Sequence, residues 1–332
     1  MQNGKDIILF STTETRPISE GIFKSLKKLI GRKVKLGESE VETYPNNNLR
    51  VQTEEVRDKS VIIVHTQTDS VHDEMVELIG LLDAVKNARP AQVILVMPYM
   101  PYARAERHNA PHISAIGRWY ARTLSDFLLG EADSVLLVDP HSKMMREYFD
   151  PIAEEVTLVP LLANHFKKSH NLKSWVVVYP DEGAADRFGK LSEFLKLSSI
   201  CTAKTRSEKY GIDSLFVTGD VKGKNCLIID DEILSGGTAF WTADSLIAMG
   251  AKSVEMIAVH PILKSSGLDD KKLMERFEKS SIKKFYVADT VCAEHKTKLC
   301  KKFDLVSGSP LISTAIFRLL YGGSLTKLRE FK

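Results

Sequence analysis

The chain has 332 residues, about twice a typical domain, so two domains of roughly 150 residues each are predicted. Hydrophobic residues at 43% and charged residues at 27% suit a chain that buries real cores and exclude disorder, and a net charge of +3, from 46 Lys and Arg against 43 Asp and Glu, is too weak to mark a nucleic-acid surface. The four cysteines show neither a disulfide framework nor metal-ligand spacing, no basic-then-apolar leader opens the chain, and no apolar run is long enough to span a bilayer, so a cytoplasmic protein with no nucleic-acid and no membrane partner is expected.

Residues 6–10 read as a buried strand, and Pro17 follows at the first turn of a helix reaching Ile30. The turn-rich stretch 44–48, with Tyr44, Pro45, Asn46, Asn47 and Asn48, joins two extended pieces as a hairpin loop. A strand at 61–64 precedes a helix whose stripe is Val71, Met75, Leu78, Leu82 and Val85. The strand at 93–97 leads into the segment Pro-Tyr-Met-Pro-Tyr-Ala-Arg, and Arg104 at its end offers a planar fork suited to phosphates. Ile113, Ile116, Tyr120, Leu124 and Phe127 stripe another helix, and the strand at 134–138 ends in Asp139, Pro140 and His141. Gly130, Ser134, Val135 and His141 recur as Gly250, Ser253, Val254 and His260, which suggests two related α/β halves. Asp150-Pro151 interrupts the pattern and marks a boundary.

In the second half, a strand at 175–179 ends in Pro180, Asp181, Glu182 and Gly183, where Asp181 can cap the following helix. A strand at 199–203 runs into Lys204, Thr205 and Arg206; cations one residue apart on an extended segment project to one side, which suits gripping a polyphosphate. Residues 226–229 form an apolar β-branched run that Asp230 and Asp231 end. Ser235, Gly236, Gly237 and Thr238 then open a helix with apolar positions at Ala239, Ala243, Leu246 and Ile247, closed by Gly250. A glycine loop at a helix N-terminus points unpaired backbone N–H groups and a positive dipole end at a phosphate, and two carboxylates beside it can accept hydrogen bonds from vicinal hydroxyls. A sugar phosphate satisfies both. Strands at 254–259 and 285–288 and a helix at 310–320 complete the chain, and the basic run 296–302 reads as a solvated face.

The block from the apolar strand through Asp230 and Asp231 to Gly236, Gly237 and Thr238 resembles the phosphoribosyl pyrophosphate loop of type I phosphoribosyltransferases and of ribose-phosphate pyrophosphokinases. The run Gly219-Asp220-Val221-Lys222-Gly223-Lys224 before it is similar to the latter. The segment ending at Arg104 resembles their PYxxYAR signature, Asp139-Pro140-His141 their Asp-Leu-His, Pro180-Asp181-Glu182-Gly183 their SPDxGG, and Lys204-Thr205-Arg206 the Lys-x-Arg that begins their flexible catalytic loop, with residues 207–213 as its mobile part. The resemblance covers nearly the whole chain.

It implies an α/β fold of two tandem, duplicated type I phosphoribosyltransferase-like domains, each a mostly parallel central sheet flanked by helices. These would span 1–152 and 153–307, with the C-terminal helix in 308–332 returning to the first. The implied reaction transfers the diphosphoryl group of Mg-ATP to ribose 5-phosphate, releasing AMP. By the resemblance, Lys204 and Arg206 are catalytic; Asp181, Asp230, Asp231, Ser235, Gly236, Gly237 and Thr238 bind ribose 5-phosphate; Tyr44, Asn46, Asn48, Arg104 and His141 bind ATP; His141 and Asp181 hold Mg2+. Homo-oligomers built on dimers, up to hexamers, are implied as well. The sequence departs from the family where acidic residues are usual and Asn46 or Asn48 stands, at Ala105 and Glu106 after Arg104, and at Leu234 in place of a third loop aspartate. The last marks a subtype expected to work without inorganic phosphate. A salvage phosphoribosyltransferase would share the loop but needs one domain and leaves Lys204, Arg206 and Asp181 unexplained; a non-catalytic regulatory paralogue would have lost the catalytic side chains that this chain retains.

Overall fold

Parallel strands organise both halves of the chain. The structure is a computed structural model that describes residues 6–108, 110–207, 211–328 and 330, with the backbone alone at 203–207 and 211–216. In chain order the first half carries β1 (Ile7–Ser11), β2 (Val34–Leu36), the hairpin β3 (Ser39–Thr43) and β4 (Leu49–Thr53), then β5 (Ser60–Val64), β6 (Gln92–Met97), β7 (Ser134–Val138) and β8 (Glu154–Val156). The second carries β9 (Trp175–Tyr179), β10 (Ser199–Ser207), β11 (Gly211–Val217), β12 (Asn225–Ile233), β13 (Ser253–Pro261), β14 (Ile282–Ala288) and β15 (Phe303–Val306).

The chain divides into two units. Unit 1 takes the chain up to Thr157, the short segment Thr290–Cys292 and the stretch 309–328; unit 2 takes Leu158–Asp289, Ala293–Gly308 and Glu330. The sheet of unit 1 runs β2-β1-β5-β6-β7-β8, all parallel, with β3 and β4 pairing separately as an antiparallel hairpin. Because helices cover both faces of such a sheet, β1 and β5 are buried at every residue and show no polar alternation. Helix Arg16–Ile30 carries Pro17 in its first turn and buries Ile18, Ile22 and Leu26. Helix Ser309–Tyr321 lies against it: a Cβ on Gly21 would stand 2.7 Å from Ser309 Oγ, and Ser313 Oγ donates to the Ile22 carbonyl at 3.0 Å. Glycine at 21 is what lets the two helices approach so closely.

The sheet of unit 2 runs β11-β10-β9-β12-β13-β14-β15, parallel except for the edge strand β11. Without β11, its order is that of unit 1 strand for strand: two type I phosphoribosyltransferase-like α/β domains in tandem. This corrects the phase of the repeat read from the sequence. By sheet position β7 corresponds to β14 and β13 to β6, so Ser134 and Ser253 begin strands that are not counterparts. His141 follows β7 in a half-buried loop, whereas His260 lies inside β13 and is buried.

Other expectations also shift. The acidic pair does not end its strand: β12 continues to Ile233 because β13 pairs with it as far as Ile233 opposite Pro261. The helix expected from Ile113 begins at Ile116 and stops at Ser125, leaving Ile113 exposed and Phe127 beyond its end. The break expected after residue 152 falls before β8, which pairs with β7, and the units divide between Thr157 and Leu158. The run 296–302 is not uniformly solvated: Lys296 is buried with Nζ 3.7 Å from Asp270 Oδ1, and Thr297 and Cys300 are buried beside it. All four cysteines are unpaired. Among the described residues no helix is long and apolar enough to cross a membrane.

Candidate active site

In unit 2 the strand order reverses direction between β9 and β12, and the crevice beyond their carboxyl ends is where open α/β sheets place ligands. Strand β9 delivers Asp181 to this crevice. Its backbone is extended, and Oδ1 accepts the Ala184 N–H at 2.8 Å, so it caps helix Glu182–Phe188. That cap and any ligand role share one exposed carboxylate, and Oδ1 is the atom already engaged.

Strand β12 delivers Asp230 and Asp231. The Asp231 side chain is 5% exposed and the Asp230 side chain 28%. The Asp231 N–H donates to Asp230 Oδ1 at 3.0 Å, which fixes the first carboxylate over the second residue's amide. Burial raises the Asp230 pKa, the adjoining Asp231 carboxyl raises it further, and Arg187 opposes both. Arg187, on the helix that Asp181 caps, donates from Nη2 to Asp231 Oδ1 at 3.1 Å and lies 3.7 Å from Asp230 Oδ1. It was not apparent from the sequence, since it stands 44 positions from Asp231. The available signal was chemical: two adjacent carboxylates, one of them buried, call for a cation.

Beyond β12 the chain turns through Ser235 and Gly236 into helix Gly237–Ala248. Gly236 has φ +76°, and a Cβ there would collide with the Phe240 ring. A Cβ on Gly237 would meet nothing closer than Ser235 Oγ at 3.8 Å, so the approach to the first turn is open, and Gly237 and Thr238 are exposed. The first N–H groups of a helix have no partner within it, which makes this turn a place for an anion.

Strands β10 and β11 form a hairpin in which Lys204 stands opposite Leu215 and Arg206 opposite Ile212, with a register shift between Thr205 and Arg206. The side chains of Lys204 and Arg206 lie outside the described residues. Of the segment 207–213 expected to be mobile, Ser207 and residues 211–213 are in paired strands because the antiparallel ladder reaches them, and 208–210 lie outside the described residues.

In unit 1, Arg104 is exposed in a 3-10 turn, Ala103–Ala105, that follows β6 and is entered through Tyr102 at φ +61°. His141 follows the neighbouring strand β7, after Asp139 at φ +40°. These residues thus leave the carboxyl ends of adjacent strands. Tyr44, Asn46 and Asn48 sit apart at the exposed tip of the β3–β4 hairpin. The tip is closed by Tyr44 N–H to Asn48 O and Asn47 N–H to Tyr44 O, each 2.8 Å, and Asn46 Oδ1 accepts the Asn48 N–H at 3.1 Å. Among the described residues no group of three or more His, Cys, Asp or Glu could hold a metal ion without other ligands.

The strand reversal between β9 and β12, the carboxylate pair on β12 and the open glycine turn that follows it stand together in an open α/β sheet, at the place where such sheets take ligands. The N-terminal domain of ribose phosphate pyrophosphokinase matches residues 7–127, and the phosphoribosyl synthetase-associated domain matches residues 194–330. Ribose-phosphate pyrophosphokinase 1 of Streptococcus pneumoniae serotype 4 is 31% identical over 318 residues, covering 95% of this chain and 94% of the relative. Its namesake from Streptococcus mutans serotype c is 31% identical over 327 residues, covering 97% of each. In fold, the chain matches the crystal structure of phosphoribosylpyrophosphate synthetase from Mycobacterium smegmatis with a TM-score of 0.84, at 24% identity, over 96% of this chain and 100% of that one. The chain belongs to the ribose-phosphate pyrophosphokinase family.

Proposed function

We propose that the chain makes phosphoribosyl pyrophosphate from ribose 5-phosphate and Mg-ATP. The anomeric hydroxyl oxygen of the sugar bonds to the β-phosphorus, the bond from that phosphorus to the oxygen bridging the α- and β-phosphates breaks, AMP leaves, and the hydroxyl proton passes to solvent. The observation that carries this reading is the Asp230–Asp231 pair beside the open first turn at Gly237, which offers acceptors for two ribose hydroxyls and donors for the 5-phosphate. Ser235, Gly236, Gly237 and Thr238 receive the phosphate. Arg104 and His141 are assigned to the nucleotide phosphates, and Tyr44, Asn46 and Asn48, on an exposed tip, to the adenine. Lys204 and Arg206 stabilise charge on the transferring group. As in phosphoryl transfers generally, the protein positions reactants and neutralises charge.

Magnesium fits the residues present. The ion takes one or two protein ligands and completes its shell with substrate phosphates and water, so a single exposed carboxylate suits it. Within unit 2, Asp181 keeps Oδ2 for it while Oδ1 caps the helix; in unit 1, His141 is assigned by the resemblance to the nucleotide and its metal. When bound, the ion neutralises the polyphosphate.

Leu234, at the position of a third loop aspartate, supports activity without inorganic phosphate. We also propose a cytoplasmic homo-oligomer, in keeping with four unpaired cysteines. The test is to incubate the protein with ribose 5-phosphate and Mg-ATP without phosphate and resolve the products by chromatography. Equal amounts of AMP and phosphoribosyl pyrophosphate are expected. Products only after phosphate addition would overturn the subtype, and no products under either condition would make the chain a regulatory paralogue.

A further inference from the structure

Nothing in the proposed reaction gives Arg187 a task, yet its guanidinium reaches both members of the acidic pair. Asp230 Oδ1 is approached by Arg187 Nη2 at 3.7 Å and accepts the Asp231 N–H at 3.0 Å, and the Asp230 carboxyl also meets that of Asp231. Asp231 Oδ1 takes the shorter hydrogen bond from the same Nη2, 3.1 Å. The guanidinium itself is held in place. Its carbon stands 5.4 Å from the centre of the Phe188 ring. Its Nη1 borders the open side of Gly183, where an added Cβ would lie 3.7 Å from Nη1 and 3.2 Å from Asp181 Oδ1. Buried Nε has no hydrogen-bond partner. A buried N–H is normally satisfied, so a fork turned to give Nη2 to the carboxylates while Nε goes unpaired is oriented for the pair and not for its own solvation.

We propose that Arg187 is a positioning residue for ribose 5-phosphate, pinning Asp231 and, with it, the Asp230 carboxylate in the orientation that receives the vicinal hydroxyls. The inference rests on the proposed role of the acidic pair. A planar two-nitrogen fork differs from a lysine ammonium in being able to hold a fixed orientation against two carboxylates. Arg187 therefore belongs to sugar recognition and not to the nucleotide or to the transfer step.

The test compares steady-state kinetics, calorimetric ribose 5-phosphate binding and thermal midpoints of R187K, R187M, R187M/D231N and D230N. R187K is expected to raise the KM for ribose 5-phosphate roughly 10-fold, with KM for ATP and kcat at saturating sugar within about 2-fold. R187M removes the guanidinium from both carboxylates and is expected to weaken sugar binding about 100-fold or more while lowering the midpoint. Adding D231N removes the stranded charge, so the midpoint returns and the affinity does not. A merely structural arginine would lower the midpoint and kcat together and leave the two KM values in their original ratio; that result overturns the inference. An unchanged KM for ribose 5-phosphate in D230N would instead overturn the role of the acidic pair. A raised KM in D230N with wild-type sugar affinity in R187K and R187M would sink the inference alone.

Discussion

Gly236 and Phe240 close the first turn of helix Gly237–Ala248 on each other. The Phe240 N–H donates to the Gly236 carbonyl at 2.8 Å, and the Phe240 ring fills the space where a Cβ on residue 236 would stand. With φ at +76°, Gly236 is also in the left-handed region, which costs an L-residue about 1–2 kcal/mol before any clash. G236A should therefore lower the thermal midpoint and, by pushing the turn outward, raise the KM for ribose 5-phosphate. In G236A/F240A the clash is relieved but the backbone cost is not, so sugar affinity should recover only in part. Full wild-type affinity in G236A itself would mean that the turn does not hold the phosphate.

Lys204 and Arg206 lie on β10, a strand joined to the edge of the unit 2 sheet. If they stabilise charge on the transferring group, K204A and R206A each remove one preorganised donor and should lower kcat by roughly 100-fold or more, with a smaller change in KM for ribose 5-phosphate. Single-turnover kinetics distinguish this from slowed product release. An unchanged chemical step would remove the catalytic role.

Asp181 carries a cap and an assigned ligand role on one side chain, and D181N separates them. Asparagine keeps an Oδ1 acceptor for the Ala184 N–H, so the thermal midpoint should hold. The lost charge should raise the Mg2+ concentration for half-maximal activity by about 10-fold. A fallen midpoint with an unshifted Mg2+ requirement would reduce Asp181 to a helix cap.

Glu77 gives unit 1 a pH dependence of its own. Its Oε1 accepts from Thr13 N–H at 2.7 Å and from Thr13 Oγ1 at 2.9 Å, and Glu74 Oε1 accepts the Glu14 N–H at 2.8 Å, so two acids one helical turn apart hold the loop after β1. Burial and then the Glu74 carboxylate push the Glu77 pKa up to about 7. A carboxyl that holds its proton more tightly folded than unfolded stabilises the fold most at low pH. That contribution fades from about pH 4.5, the ordinary value, to about pH 7, and the loss is of the order of 2–3 kcal/mol. E77Q keeps the acceptor oxygen and cannot ionise. Its thermal midpoint at pH 8 should exceed that of the parent, and the gap should close by pH 5. Parallel pH profiles for the two proteins would contradict the assignment.

The helix start at Gly237 was readable because glycines after a β-branched run have a local meaning, and helix Arg16–Ile30 because Pro17 and a 3.6-residue stripe do as well. Strand β12 outran Asp230 and Asp231 because its length is set by pairing with β13, which no local signal reports. The same holds for Arg187, brought to Asp231 only when β9, its helix and β12 assemble, and for Glu74 and Glu77, whose partners are loop amides 60 and 64 positions away. The matched serines at 134 and 253 misled because a strand start recurs in every βα repeat, so only sheet order shows which strands correspond.

Diphosphoryl transfer is tested most directly with ATP labelled at the β-phosphorus. Incubated with the protein, Mg2+ and ribose 5-phosphate, the label should move wholly into phosphoribosyl pyrophosphate, leaving AMP unlabelled. Label that stays in ADP, or that appears as free phosphate without a labelled sugar, would contradict the account.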